Sequence, residues 1–384
     1  MKVKKSELMF YTAYTMYYIM NMLYTTRIGN FFGVISLNDL SLIVMPIVLG
    51  CLLITFLKSI SKRYWFAFGT IFFAAVAIAY NSGVRAVLIS IMFILCARMI
   101  DLELLCRFTF KMNTTMVLLL IALSIAGLIP GEIVTRGSMT RYSLGFASSN
   151  TLAMAVMKSV LLYYIARRGR IRFRNLMEMA IFLVITYYFT GSRLFALIGC
   201  IFLTLAAYAM INPNAYTSKR VLVAGEAILP VMTIATLYYG SVYWIKHDEL
   251  LELNELFSGR LYFINYFLTN YGFSTWGQKI EFTTVRDSLA SGGTWFSLDN
   301  SYAYALVCYG TVFFFVMAAA YLVEIFIMHK VQRKEIFIYL ICMLVIGLTE
   351  NGIFDVTFNF ALLYLVKVLV SDKTNIGVQG VQTR

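Results

Sequence analysis

The chain has 384 residues, of which 60% are hydrophobic and 13% charged, and carries a net charge of +13, with a mean hydropathy of +0.78. Soluble domains hold about 45–50% apolar and about 25% charged residues, so the composition excludes an ordinary soluble domain and places the chain in a bilayer. Near-continuous apolar runs of about 17–25 residues, with only four prolines, fit spanning helices better than the alternating strands of a barrel.

The basic start, Lys2, Lys4 and Lys5, runs into an apolar stretch without a small-residue cleavage pattern, so 7–24 reads as a first span and not as a signal peptide. It is the most polar of the spans, with Tyr11, Tyr14, Tyr17, Tyr18 and Asn21. Further spans are expected at 38–57, 64–80, 84–100 and 114–130. Arg136 and the pattern R-x-S-x-G-F-x-x-x-N (Arg141, Ser143, Gly145, Phe146, Asn150) then lead into a span at 150–166. Spans at 176–190 and 193–211 are joined by T-G-S-R (190–193) with almost no loop, which should hold the Arg193 guanidinium at the membrane boundary. A span at 220–243 precedes 244–300, the one long polar stretch. It opens with Trp244 and His247, carries S-G-R-L-Y (258–262), and passes Trp295 to close on L-D-N-S-Y (298–302). Spans at 301–328, 335–349 and 353–370 bring the total to about twelve. The expected fold is an all-α integral membrane protein in one domain: 1–243 with nine spans, a large loop at 244–300, and 301–384 with three spans and a tail.

Basic residues set the orientation. One set of loops, from Lys2/Lys4/Lys5 through Arg167–Arg174 to Lys373/Arg384, holds 21 of the 32 Lys and Arg residues. The alternate set holds nine: Arg27, Arg85, Arg136, Arg141, Arg193, Lys246, Arg260, Lys279 and Arg286. The positive-inside rule therefore puts both termini in the cytoplasm and 244–300 outside. The same bias accounts for the basic net charge without nucleic acid. The six cysteines lack a C-x-x-C pair and read as packing residues, with neither a disulfide framework nor a zinc site indicated.

Arginine on the outer side is not favoured by insertion, so Arg141, Arg193 and Arg260 need another reason to be there. Each lies close to Gly and Ser, which let a ligand approach the backbone. Snorkelling to lipid phosphate explains one such residue; three on one side fit a shared anion clamp better. Guanidinium groups hold phosphate oxygens bidentately and stay charged at any relevant pH. Trp244, Tyr262, Tyr266, Tyr271, Trp276, Trp295 and Tyr302 suit either sugar stacking or an interfacial aromatic belt.

Together the four motifs, in this order and around one large outer loop, resemble the Wzy-type polysaccharide polymerases, relatives of the O-antigen ligases. The resemblance covers roughly 136–310 by motif and the whole chain by topology. It implies a multi-pass glycosyltransferase of the bacterial cytoplasmic membrane that uses no metal or cofactor. The reaction implied is the joining of undecaprenyl-pyrophosphate-linked O-antigen, capsule or exopolysaccharide repeat units on the outer face. Arg193 and Arg260, with Arg141, then stand where the family holds the donor pyrophosphate. Arg136, Asn150, Asn300, Tyr302 and Trp295 are candidate substrate contacts. Implied partners are the lipid-linked donor and acceptor, membrane lipids, a flippase and a chain-length regulator.

Asp299 is the candidate base for the acceptor hydroxyl. Ligase relatives often carry histidine there, and aspartate at an ordinary pKa near 3.9 needs burial to raise it. Helix capping by D-N-S is the alternative role. His247 reads as a solvated loop residue with a lesser claim to catalysis. Glu350 and Asp355, in T-E-N-G-I-F-D, fit either sugar-hydroxyl binding or a membrane boundary. No Asp-x-Asp pair or P-loop is present, which argues against nucleotide-sugar and ATP-driven chemistry. The rival functions are an O-antigen-ligase-like transferase and a lipid-linked oligosaccharide flippase, although the chain shows no internal repeat of the kind carriers tend to have.

Overall fold

The computed structural model describes residues 5–28, 37–59, 64–136, 139–212, 214–283 and 296–366. Helices α1 (Lys5–Tyr24), α2 (Leu37–Ser59), α3 (Trp65–Ser82), α4 (Arg85–Cys96) and α5 (Leu102–Ile125) precede a hairpin of β1 (Ile133–Arg136) and β2 (Met139–Tyr142). Then come α6 (Ser149–Ala166), α7 (Phe173–Thr190), α8 (Arg193–Ile211) and α9 (Lys219–Val242). The polar stretch contributes α10 (His247–Leu256) and α11 (Arg260–Tyr271), and α12 (Ser301–Tyr304), α13 (Thr311–Lys330) and α14 (Lys334–Ile346) follow. The chain is a helical membrane protein in composition and architecture. Among the described residues six helices are long and apolar enough to cross a bilayer: Asp39–Lys58, Trp65–Ser82, Leu102–Ile125, Arg193–Ile211, Lys219–Val242 and Thr311–Lys330. Their outward faces carry exposed apolar side chains such as Phe66, Phe73, Ile234 and Phe315, the surface a lipid solvent tolerates.

Several expected spans depart from simple membrane helices in ways their side chains explain. Helix α1 is polar because it faces protein: Tyr14, Tyr17 and Tyr18 are buried. Their hydroxyls find partners there, Tyr18 donating to Asn113 Oδ1 (2.7 Å) and Tyr17 to Asp355 Oδ2 (2.8 Å). Buried hydroxyls need such partners. Helix α5 starts well before the expected 114, because the Asp101 carboxylate caps it by accepting from the Glu103 and Leu104 N–H groups. Helix α4 has 12 residues and α14 has 13, so neither spans a bilayer as a regular helix at 1.5 Å per residue.

Two further spans are broken. The stretch expected as one helix from 301 to 328 runs through α12 and a π-helical turn (Ala305–Tyr309), then stops at Gly310. Gly310 has φ +94°, and a Cβ there would lie 2.5 Å from the Thr275 carbonyl oxygen, so no other residue fits the crossing. From 351 to 359 the chain is irregular, and it resumes as a 3₁₀ helix over Phe360–Tyr364. This buried, non-helical backbone is satisfied by side chains. Ser90 Oγ accepts from Val356 N–H, Tyr339 Oη accepts from Phe360 N–H, and Lys158 Nζ donates to the Thr357 carbonyl. Irregular backbone in a membrane protein requires cover of this kind.

The stretch 244–300 is no free-standing unit. Helix α11 lies on α9, with Asn265 Nδ2 donating to the Gly240 carbonyl (2.7 Å). The hairpin, unexpected from the sequence, is antiparallel with Val134 opposite Arg141, and β2 packs beside α7.

Candidate functional site

Arg141 sits on β2, and the turn that follows brings the chain straight back to it. Ser143 closes the turn through paired bonds with Glu132, its N–H donating to the Glu132 carbonyl and its Oγ accepting from the Glu132 N–H. Phe146 is fully buried as an anchor, and the Ser148 hydroxyl caps α6 by accepting from Thr151 N–H. Asn150, in the first turn of α6, therefore faces Arg141 and accepts from its Nη2 (2.6 Å). Arg141 Nε donates to the Thr190 carbonyl (2.7 Å) at the end of α7.

That carbonyl belongs to the T-G-S-R turn. Gly191 ends α7 at φ +55°, and a Cβ there would meet Met139 Sδ at 2.9 Å and Arg141 Cγ at 3.1 Å. The glycine is thus needed twice, for the left-handed turn and for the passage of the Arg141 stem. Ser192 is buried, and Arg193 is the first residue of α8. Among the described residues the exposed Arg193 side chain makes no hydrogen bond or ion pair.

Arg260 is delivered by the tight junction between α10 and α11. Ser258 (φ +59°) and Gly259 (φ +84°) are successive left-handed residues, an arrangement that carries strain at the serine. Arg260 is only 9% exposed. Its Nε donates to the Thr349 carbonyl (3.0 Å) and its Nη1 to the Phe257 carbonyl (3.2 Å). Its Nη2 points between two carboxylates, with Asp299 Oδ2 and Glu350 Oε1 each at 3.9 Å.

The L-D-N-S-Y motif explains how both carboxylates reach that nitrogen. Asn300 Nδ2 donates to the Leu348 carbonyl (2.9 Å), Ser301 Oγ to the Glu350 carbonyl (2.5 Å), and Tyr302 Oη to the Leu344 carbonyl (2.5 Å). These ties bind the start of α12 to the end of α14, so Asp299 and Glu350 flank one guanidinium. Burial pushes the Asp299 carboxyl above its ordinary range, against the opposing pull of Arg260 and a hydrogen bond from Ser297. Burial, and then repulsion from Asp299, push Glu350 up to about 8 against the pull of Arg260. Two carboxyls around one cation in a poorly solvated place cannot both ionise freely.

All three arginines line a single cavity of about 330 Å³, together with Asn150, Ser192, Ser258, Thr349 and Glu350. Its other wall is apolar, formed by Met154, Leu194, Leu197, Leu256 and Phe257. Helices α6, α8 and α11 all begin at this wall, and their N-terminal ends add positive potential. The chain matches no family model, no curated protein and no solved structure.

The other residues singled out in the sequence fall elsewhere. Asn300 and Tyr302, expected as substrate contacts, are 1% and 0% exposed and turned into the packed interior; their polar atoms are spent on the ties to α14. Asn300, and not Asp299, caps α12, its Oδ1 accepting from Ala303 N–H. The Arg136 side chain and Trp295 lie outside the described residues, although the Arg136 backbone closes the hairpin opposite Met139. His247 stacks on Trp244 with ring centroids 5.3 Å apart on an exposed surface. Asp355 is held among Tyr17 and Thr357, away from the lining of the cavity. Glu350 was legible only as one half of an acidic pair in a turn, and its place in the cavity comes from the tertiary ties.

Proposed function

We propose that the protein is a polysaccharide polymerase, a membrane glycosyltransferase that joins lipid-pyrophosphate-linked oligosaccharide repeat units. The observation that carries this reading is the convergence of Arg141, Arg193 and Arg260, from three separate stretches of chain, on one cavity with an apolar wall. A guanidinium cluster suits a pyrophosphate, and Met154, Leu194 and Leu197 suit the first isoprene units of a lipid carrier. Arg141 is aimed by Asn150 and Thr190, and Arg260 by Thr349 and Phe257, so both are preorganised. Arg193 has its charge unspent among the described residues.

In this reading the donor pyrophosphate lies against the three arginines, with the anomeric carbon of its first sugar facing the acidic side of the cavity. The acceptor hydroxyl attacks that carbon, and the bond to the pyrophosphate oxygen breaks. Negative charge growing on the leaving group is stabilised where the arginines already stand. The hydroxyl proton passes to a carboxylate beside Arg260. The resemblance to Wzy-type polymerases, about twelve membrane passages with both termini cytoplasmic, and an outward-facing site all belong to this proposal.

The test is genetic and chemical together. Arg193→Ala and Arg260→Ala are each expected to lower polymerisation at least about 100-fold, the usual cost of removing a transition-state charge partner. Long-chain glycan should vanish while single lipid-linked repeat units accumulate. Normal chain-length ladders in both variants, at wild-type protein levels, would sink the pyrophosphate clamp.

A further inference from the structure

We infer that Glu350, and not the motif residue Asp299, accepts the proton of the acceptor hydroxyl, while Asp299 serves as the fixed counter-charge that holds Arg260 and tunes Glu350. The assignment rests on the glycosyl-transfer reading of the cavity.

Its first support is placement. Glu350 lines the cavity with Arg141, Arg193 and Arg260, whereas Asp299 is not among the lining residues. Asp299 has one oxygen taken by the Ser297 hydroxyl (2.9 Å) and the other facing Arg260 Nη2 (3.9 Å). For Glu350, no side-chain hydrogen bond occupies the carboxylate among the described residues, and its single charged contact is the same Nη2 at 3.9 Å. A group that must receive a proton needs a lone pair open to the substrate, and of the two carboxylates only Glu350 both lines the cavity and has no hydrogen bond on it among the described residues.

The second support is how its position is fixed. The Glu350 carbonyl accepts from Ser301 Oγ, and the preceding carbonyl of Thr349 accepts from Arg260 Nε. The backbone is pinned on both sides while the side chain is left to the cavity. The charged groups facing Glu350 are Arg260 from α11 and Asp299 from the segment before α12. Arg141 on β2 and Arg193 on α8 stand on the same cavity's wall. Burial and Asp299 raise the Glu350 carboxyl and Arg260 lowers it, which makes Glu350 a stronger base than a solvated carboxylate.

The acceptor oxygen forms its bond to the anomeric carbon, the carbon–oxygen bond to the pyrophosphate breaks with its electron pair leaving on the phosphate oxygen, and the hydroxyl proton goes to the Glu350 carboxylate. Because the base must be ionised to act, the rate should rise with pH through the Glu350 titration. The negative charge of Asp299 raises that titration, so its removal should move the rising limb to lower pH.

The experiment uses the full-length protein in lipid nanodiscs with a polyprenyl-pyrophosphate-linked oligosaccharide. Donor binding and single-turnover elongation are measured from roughly pH 5, above the ordinary carboxylate range, to roughly pH 9, above the raised Glu350 titration. Glu350→Gln should bind the donor near wild-type affinity and elongate about 100- to 10,000-fold more slowly, the usual range for a lost general base, with a flat pH profile. Glu350→Asp should recover part of the rate. Asp299→Asn should keep a pH-dependent rate, at lower amplitude, with its limb displaced to lower pH. Elongation by Glu350→Gln at the wild-type rate and with the wild-type limb overturns the assignment. So does a flat profile in Asp299→Asn with the limb intact in Glu350→Gln. A wild-type protein that neither binds nor elongates the donor instead overturns the glycosyl-transfer reading. Infrared titration of the unliganded protein then reads the pair by itself: the carboxyl band should be lost in Glu350→Gln and shifted in Asp299→Asn, and an unshifted band refutes the coupling.

Discussion

At the scale of single residues, the site depends on positions that carry no charge. Gly191 has no side chain, yet it determines where the Arg141 guanidinium ends, because the Met139 sulfur and the Arg141 stem occupy the space a Cβ would need. Gly191→Ala adds left-handed strain of roughly 1–2 kcal/mol and a steric conflict with the clamp. We expect a thermal midpoint lowered by a few degrees and polymer yield reduced about tenfold in a cell-based ladder assay. Wild-type ladders from Gly191→Ala would show that the turn re-forms without moving Arg141. The same residue scale shows why part of the site was readable in the chain and part was not. Arg141, Arg193 and Arg260 stood out because arginine on the sparsely basic side of a membrane protein demands a reason. Glu350 had no such contrast: an acid in a turn between apolar runs looks like any membrane boundary. Asn300 and Tyr302 shared a motif with Asp299 but point inward, and sequence adjacency does not reveal side-chain direction.

At the scale of elements, the L-D-N-S-Y segment works as a splice between α12 and α14. Asn300 is its most connected member, capping α12 through Ala303 N–H while bonding Thr236 Oγ1 and the Leu348 carbonyl. Asn300→Ala removes a cap worth about 1 kcal/mol and leaves a buried carbonyl and hydroxyl to find new partners, at a further cost of about 1–3 kcal/mol. We expect a clear drop in thermal midpoint together with loss of turnover, since Asp299 and Glu350 lose their common anchor. Asn300→Asp keeps the cap acceptor but loses the donor, and should fall between the two. A stable, active Asn300→Ala protein would mean that the remaining ties through Ser301 and Tyr302 suffice. Element boundaries were less legible than the motifs. Apolar run lengths located α2, α3, α8, α9 and α13, whose faces meet lipid. They missed the early start of α5, because Arg107, Lys111 and Asn113 interrupt its hydropathy and the Asp101 cap lies beyond the run. They also turned 353–370 into a helix, since buried irregular backbone and buried helix share the same apolar composition.

At the scale of the whole molecule, α6 connects the cavity to a second cluster of charges. The end of α6 at Ser149 opens on the cavity, and about 27 Å away at 1.5 Å per residue its other end leads to Arg168. There Arg168 and Arg333 pair with Glu103, and Arg333 also with Glu335. This second end carries the Arg167–Arg174 run, which the positive-inside rule assigns to the cytoplasm. A cysteine introduced by Ser291→Cys should therefore react with a membrane-impermeant reagent in intact cells stripped of their wall. Labelling that appears only after permeabilisation would reverse the orientation and move the cavity to the inner face.

The hydrogen bonds around Arg260 have a mechanical consequence. Arg260 hangs from the Thr349 carbonyl, and Asn300, Ser301 and Tyr302 hang from carbonyls between Leu344 and Glu350. The acidic pair and its cation therefore form one jaw, carried by α11, α12 and α14. Arg141, Asn150 and Arg193 form the opposite jaw, carried by β2, α6 and α8 and joined to one another through Thr190 and Gly191. Among the described residues Arg193 makes no hydrogen bond or ion pair to the first jaw. Because α14 also packs against α8 and α6, the acidic pair and its cation are braced as one piece against the wall that carries the other two arginines.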